Sequence, residues 1–126
     1  MKQVLFILLV FISVNGFSQS VKMNISYNIE VMKTDLGGEM TWDEAKTAVD
    51  KLGSFWRLPS NAELQFMYDK RDEIGGFVKD QCCGSYWSST ELLEGSVYGL
   101  TFYDGSHSLI FKSLLKSRVR AVRTIK

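Results

Sequence analysis

Hydrophobic and polar residues follow three different patterns along this 126-residue chain. An unbroken apolar run, VLFILLVFI, occupies positions 4–12. Residues 25–32 alternate loosely between apolar and polar, which predicts a strand because successive strand side chains point to opposite faces. Two segments with helical spacing of apolar residues follow, and after Gly76 the chain consists of short β-prone runs. The pattern therefore predicts one strand, two helices and then several strands.

Both predicted helices begin at a capping box, in which a Ser or Thr hydroxyl and a Glu three residues later bond each other's backbone N–H groups. Thr41 and Glu44 open the first helix, and Ser60 and Glu63 open the second. Gly53 is expected to end the first helix, since glycine readily adopts the backbone conformation that closes helices. The second helix is expected to continue to the break at 72–76.

The second half of the chain is predicted to form antiparallel strands. Asp104-Gly105 is a hairpin signal, because both residues tolerate the backbone conformations of tight turns. The predicted strands cover 85–89, 97–103, 108–112 and a closing segment, 118–124. This order predicts an α+β fold, with two helices packed on a mainly antiparallel sheet built mainly from the second half.

The N-terminus has the layout of a secretory signal peptide: a positive start at Lys2, the apolar run, and a small, polar stretch at 13–20. As a helix, nine apolar residues would rise about 14 Å, well short of a bilayer core of about 30 Å. We therefore expect a signal peptide at 1–18 and a single domain at 19–126. The mature domain is expected to be secreted, periplasmic or at the cell surface, without a transmembrane segment.

Charge excludes one class of partner. The chain has 15 basic and 14 acidic residues, and removal of the signal peptide takes away Lys2, which leaves 14 of each. A neutral domain lacks the excess of positive charge on which nucleic-acid binding depends. No nucleic-acid partner is therefore expected.

The C-terminal segment is the exception to this balance, because residues 112–126 contain no acid. Arg118 and Arg120 are two residues apart and are predicted to share one face of a strand, where they could present a basic stripe to sulfate or carboxylate groups. The alternative is a partly buried strand whose arginines pair with acids such as Asp43, Glu44 or Glu91. The candidate ligand-binding residues are Lys112, Lys116, Arg118, Arg120 and Arg123.

Five phrases in order carry a family resemblance: GEMTWDEAK at 38–46, WRLPSNAEL at 56–64, DEIGGF at 72–77, YWSSTE at 86–91 and RVRAVR at 118–123. They resemble the Lcl C-terminal domain family (domain of unknown function 1566), which is related to the major paralogous domains of secreted bacterial proteins. The resemblance implies a C-type-lectin-like fold. It also implies an adhesin-like role, because the domain that ends a collagen-like bacterial adhesin is associated with sulfated glycosaminoglycans.

The phrase WRLPS is interpreted mainly as a determinant of the fold. Pro59 fixes its own backbone and keeps Leu58 extended, so Trp56 and Leu58 are expected to point together into the core. Arg57 then points the other way. It could contact a ligand, or it could tie loops together through a carboxylate such as Glu91.

Trp87, like Arg57, has two possible roles, one in ligand binding and one in the fold. It could stack on a sugar held by the neighbouring hydroxyls and Glu91, or it could fill the core while Ser and Thr side chains satisfy the loop backbone. No His lies near Ser88 or Ser89 in sequence to act as a base, so no catalytic residue is assigned and the protein is not expected to be an enzyme.

Cys82 and Cys83 are the two cysteines of the chain and are adjacent. They could form a strained or redox-labile disulfide with each other, remain free thiols, or link two chains. They do not suffice for zinc, which takes four ligands, and His107 is the single histidine. No metal or cofactor is therefore predicted.

Together these observations predict an exported, non-catalytic binding domain that recognises an anionic or surface glycan. The alternative is a protein-binding or structural module of the bacterial cell envelope, with an envelope or host surface protein as partner. The oligomeric state is left open.

Overall fold

A computed structural model of the chain describes residues 20–23 and 28–125. The predicted signal peptide and the first part of the strand predicted at 25–32 lie outside the described residues. Within the described part of the chain, no helix is both long enough and apolar enough to cross a membrane.

Six strands and three helices make up the described fold. In chain order they are β1 (Ser20–Met23), β2 (Ile29–Met32), α1 (Trp42–Leu52), α2 (Asn61–Asp69), α3 (Arg71–Ile74), β3 (Ser85–Leu93), β4 (Ser96–Thr101), β5 (His107–Phe111) and β6 (Val122–Thr124).

The strands form two antiparallel, three-stranded sheets, in the orders β1-β2-β6 and β3-β4-β5. The predicted α+β class is confirmed. The second sheet comes from the second half of the chain, as expected, whereas the first joins strands from both ends of the described chain. The closing strand is shorter than predicted, since β6 begins at Val122 and Arg118 forms only an isolated bridge with Tyr86.

The two predicted helix starts are confirmed. Thr41 Oγ1 accepts a hydrogen bond from the N–H of Glu44 at 3.3 Å, and Ser60 Oγ accepts one from the N–H of Glu63 at 3.1 Å. Gly53 ends α1 with φ of 66°. The second helix is shorter than predicted, because the chain leaves helical geometry at Lys70 (φ −105°, ψ 20°) and starts the separate helix α3.

The second sheet has a hydrophobic cluster on each face. Trp87, Val97 and Ile110 pack in one cluster with Ala45 and Val49 of α1. In the other cluster Tyr86, Leu100 and Phe102 pack with Leu64 and Met67 of α2. Val97 and Leu100 are three residues apart in β4 and so lie on opposite faces, which places the sheet between α1 and α2.

The WRLP segment is anchored on the last strand. Arg57 and Val122 exchange backbone hydrogen bonds of 2.8 and 2.9 Å, while Leu58 and Pro59 are buried and Trp56 is half-buried. Trp87 is fully buried, and its indole N–H donates to the carbonyl of Met40 at 2.7 Å. Trp87 therefore belongs to the core, the second of the two alternatives considered for it.

Candidate functional site

Arg120, a predicted ligand-binding residue, is completely buried. Its Nε donates to Asp35 Oδ1 at 3.0 Å, and its Nη1 donates to the carbonyls of Met32 and Gly75 at 3.0 and 2.9 Å. Its Nη2 lies 2.9 Å from Asp35 Oδ1 as part of the same ion pair. A guanidinium held in this way is a structural cation, because extracting it would break the ion pair with Asp35 and two hydrogen bonds to backbone carbonyls.

Asp35 is the centre of a buried cluster formed with Tyr86, Arg118 and Arg120. The Tyr86 hydroxyl donates to the carboxylate at 2.8 Å, and Arg118 Nη1 lies 3.5 Å from Oδ2. Burial, together with the negative charge of Asp35, raises the pKa of Tyr86 well above its ordinary value, against the opposing effects of the Val78 N–H and Arg120. The phenol therefore stays a donor to the carboxylate. We call these four residues the Asp35 cluster.

Arg118 also supports a neighbouring turn, since its Nε donates to the carbonyl of Cys83 at 2.8 Å. Arg118 and Arg120 do lie on the same side of the chain, as their spacing predicted, because both contact Asp35. The expectation of an open basic stripe is corrected, however, because this shared side faces a buried carboxylate. Only the tertiary structure brings Asp35 to it.

The other predicted cations are placed individually rather than in a stripe. Lys112 Nζ lies 2.6 Å from Glu91 Oε2 and 4.3 Å from the centre of the Trp42 ring. Arg123 Nε donates to Glu30 Oε1 at 2.8 Å. Lys116 is exposed, and its charge is a minor contribution to the lowered pKa of Glu44, which hydrogen bonds from Thr41 dominate.

Arg57 is paired with Glu63 and not with Glu91, which corrects the named partner. Its two terminal nitrogens donate to the two carboxylate oxygens at 2.7 and 2.9 Å. Burial opposes the ionisation of Glu63, but the hydrogen bonds from Arg57 and from the backbone N–H of Ser60 outweigh it and lower the pKa of the Glu63 carboxyl. The same pairing raises the pKa of Arg57. The pair joins the start of α2 to the WRLP segment.

Cys82 and Cys83 are joined by a disulfide, with their Cα atoms 3.8 Å apart. Of the three alternatives left open by the sequence, the structure therefore has the bond between neighbours. Cys82 is exposed and Cys83 is half-buried.

A different surface, which was not predicted from the sequence, stands out by its exposed apolar side chains. Ser96 and Tyr98 of β4 lie on the same face of the second sheet. In the register, Leu109 of β5 is opposite Tyr98, while Phe111 of β5 and Leu93 of β3 are opposite Ser96 on its two sides. Leu93, Leu109 and Phe111 therefore share this face. Farther along the same face α2 covers Leu100, but these three residues are 41% to 61% exposed.

Two turns extend this surface. The backbone N–H of Lys112 donates to the carbonyl of Gly95 at 2.9 Å, which holds the β3–β4 turn against the segment that leaves β5. The end of β3 contributes Leu92, and the segment that leaves β5 contributes Leu114 and Leu115; these three leucines are 50% to 76% exposed. We define the apolar end as Leu92, Leu93, Leu109, Phe111, Leu114 and Leu115. Groups of exposed large apolar side chains often mark interaction sites on proteins.

The apolar end borders an open strand edge. In the described part of the chain, β5 pairs with β4 alone. The N–H of Thr101 donates to the carbonyl of Ser106, and the N–H of Lys112 donates to the carbonyl of Gly95. Hydrogen-bonded and non-hydrogen-bonded pairs alternate along an antiparallel ladder, so these two bonds show that the N–H and C=O groups of His107 and Leu109 point away from β4. The edge residues HSLIF include neither Pro nor Lys, which commonly protect exposed edges from pairing.

Among the described residues, no group of three or more His, Cys, Asp or Glu side chains could hold a metal ion. The His107 ring nitrogens lie 2.6 Å from the side-chain oxygens of Asn61 and Gln65, which fasten β5 to α2.

No protein-family model matches the chain, and no curated protein matches it. The resemblance to the Lcl C-terminal domain family stays a prediction.

Proposed function

We propose that this protein is an exported, non-catalytic protein-binding module, and that its apolar end takes up an extended segment of an envelope or host surface protein. The observation that carries the proposal is the position of six exposed, large apolar side chains near a strand edge that no other strand of the described residues pairs with. Export and a C-type-lectin-like arrangement are part of the same proposal. They are supported by the N-terminal apolar run and by the five family-like phrases.

The chemistry of the edge supports a protein as the class of partner. Outward-facing N–H and C=O groups at His107 and Leu109 match the backbone of another extended chain, which can add to the sheet as a further strand. The side chains of Leu109 and Phe111 would then contact alternate side chains of that strand. Burial of apolar surface contributes about 25 cal/mol per Å², so several half-exposed leucines provide the driving force.

The same geometry favours a protein over an anionic glycan. Arg118, Arg120, Arg123 and Lys112 already neutralise carboxylates of this chain. A sulfated ligand would have to compete with those carboxylates, and Arg120 has no exposed surface to offer. The protein-binding alternative is therefore the function that we propose.

Site-specific photo-crosslinking tests the proposal in cells that produce the protein naturally. A photoreactive phenylalanine analogue replaces Leu114, and the matched control carries it at Asp50, an exposed position of α1. We expect a discrete protein adduct from position 114 and none from position 50. The substitution Leu109→Pro in the first variant should abolish the adduct, because proline removes an outward N–H while the bonds to β4 remain.

Three outcomes contradict the proposal. The first is equal crosslinking from both positions, and the second is an adduct that joins only two copies of this chain. The third is salt-sensitive retention on heparin that Lys116→Ala abolishes while no protein adduct forms at position 114, which would restore the glycan hypothesis.

A further inference from the structure

The disulfide between Cys82 and Cys83 cannot act as an ordinary structural crosslink. A disulfide stabilises a fold chiefly by restricting the unfolded chain, and the effect grows with the length of the loop that it closes. This disulfide joins neighbours in sequence and so closes no loop between distant elements. The chain has no further cysteine with which it could exchange.

The turn that carries the two cysteines is held by backbone bonds that do not involve sulfur. The N–H groups of Cys83 and Gly84 both donate to the carbonyl of Asp80, at 3.2 and 3.0 Å. The carbonyl of Gly84 accepts from the N–H of Phe102 at 2.8 Å, and the carbonyl of Cys83 accepts from Arg118. The turn is therefore expected to keep its shape when the disulfide is reduced.

Close packing at Gly84 is a second reason to expect that the turn keeps its shape when the disulfide is reduced. A Cβ at this position would lie 2.8 Å from the carbonyl oxygen of Val78 and 2.9 Å from that of Asp80. The backbone at Gly84 is thus close-packed within the turn. The exposed side chain of Cys82, by contrast, is accessible from solvent.

We propose that Cys82 and Cys83 form a surface thiol–disulfide exchange site whose substrate is a dithiol, either a small molecule or a dithiol protein. One thiolate of the donor attacks Sγ of the exposed Cys82, the bond between the two cysteines breaks, and Cys83 leaves as a thiolate that takes up a proton. The second donor thiol then attacks the mixed disulfide and releases Cys82. The donor loses two electrons and becomes a disulfide, and the two cysteines gain them as two thiols.

The Arg118 guanidinium contacts the backbone carbonyl of Cys83, which places a positive charge against the residue that carries the leaving thiolate. Positive charge near a cysteine favours the thiolate. The reverse reaction transfers the disulfide to a reduced dithiol partner. This site is separate from the apolar end and does not depend on the proposed function.

Thiol counting by mass spectrometry tests the exchange site, with dithiothreitol as the dithiol and the oxidised full-length protein as substrate. Iodoacetamide should add nothing before reduction and two groups after it. Phenylarsine oxide, which bridges neighbouring thiols, should add once to the reduced protein. The near-ultraviolet circular dichroism and the urea midpoint should be the same before and after reduction, and the Cys82→Ser, Cys83→Ser double variant should share them.

The same measurements can overturn the proposal. Two alkylated thiols in the protein as isolated without reductant would show that the bond is not formed. Disulfide-linked dimers on a non-reducing gel would show that the cysteines pair between chains. Loss of the near-ultraviolet signal on reduction, or in the double Ser variant, would show that the disulfide is structural.

Discussion

The Asp35 cluster and the apolar end reverse the usual placement of charge and apolar surface. Arg120 is fully buried with its charge neutralised by Asp35, whereas Leu114 is 76% exposed. Arg120 and Leu114 both come from the last third of the chain, whereas Asp35 comes from the first third. The contrast shows that a residue of a basic segment can be buried when a carboxylate from a distant part of the chain pairs with it, while leucines of the same segment stay exposed.

Substitutions in the two regions should differ most clearly in how much they lower the free energy of unfolding. A buried ion pair that loses one member leaves an uncompensated charge, whereas an exposed leucine loses little when it is removed. Four predictions, in decreasing order of expected effect on the free energy of unfolding, test this difference.

Replacement of the central carboxylate should have the largest effect. Asp35→Ala leaves the Arg120 guanidinium buried without its counter-charge, and we expect a loss of about 3–5 kcal/mol in the free energy of unfolding. Urea denaturation followed by circular dichroism measures it. Asp43→Ala, on the exposed face of α1, is the control and should change the free energy much less. If Asp35→Ala lowered the free energy of unfolding no more than Asp43→Ala does, the Asp35 cluster would not stabilise the fold.

Two neighbouring glycines test how tightly the Asp35 cluster is packed. Gly75 and Gly76 have φ of 82° and 80°, so an alanine at either position carries backbone strain of about 1–3 kcal/mol. Only at Gly76 would the added Cβ also collide, 2.3 Å from the carbonyl oxygen of Lys33 and 3.2 Å from Arg120 Nη2. We expect Gly76→Ala to cost about 1–3 kcal/mol more than Gly75→Ala. Equal losses in urea denaturation would show that the backbone can move away.

The pair between the partly exposed Arg57 and the buried Glu63 should contribute less to stability, and its contribution should depend on pH. Because the folded protein lowers the pKa of Glu63 below 4.5, its contribution is present above pH 4.5 and is lost as the pH falls through the lowered pKa. Glu63→Gln should cost about 1 kcal/mol at pH 7, and the difference from the unsubstituted protein should shrink below pH 4.5. Thermal unfolding at several pH values measures both.

The surface pair Lys70–Glu73 provides the control for this pH dependence. Its side chains approach only to 3.8 Å, and that of Glu73 is 64% exposed. Glu73→Gln should therefore change stability little at any pH. If Glu63→Gln behaved in the same way, the Arg57–Glu63 contact would have no measurable role in holding α2 to the WRLP segment.

The apolar end should show the smallest effect on stability. We expect the double variant Leu114→Ser, Leu115→Ser to alter the free energy of unfolding by less than about 0.5 kcal/mol, since both side chains are at least half exposed. Ile110→Ala, in the adjacent strand but 7% exposed, is the control and should cost about 2–5 kcal/mol. A large loss in the leucine variant would mean that these residues support the fold instead of a partner.

Local signals in the sequence were sufficient for the helix starts and the hairpin. The capping boxes at Thr41 and Ser60 involve residues three apart, so short-range hydrogen bonding fixes them. The lengths of α2 and β6 were overestimated. Periodicity marks which residues are apolar, but it did not show that α2 ends before Lys70 or that Arg118 forms only an isolated bridge with Tyr86.

The candidate site was harder to predict than the fold. Alternation correctly put Arg118 and Arg120 on one side, but it could not show that Asp35, more than eighty residues earlier, occupies that side. Arg57 was assigned to Glu91, but it pairs with Glu63, six residues along the chain, and Glu91 pairs with Lys112 instead. The apolar end was missed because sequence periodicity shows which residues are apolar but does not show which of them another element covers.

The sequence by itself determined the α+β class, the two helix starts, the adjacency of Cys82 and Cys83 and the concentration of positive charge near the C-terminus, since each of these depends on composition or on residues close together in the chain. The tertiary structure alone decided which charges are neutralised and which apolar residues are exposed. Burial depends on contacts between residues far apart in sequence, such as Asp35 with Arg120. Those contacts turned a predicted basic surface into a largely buried ion cluster.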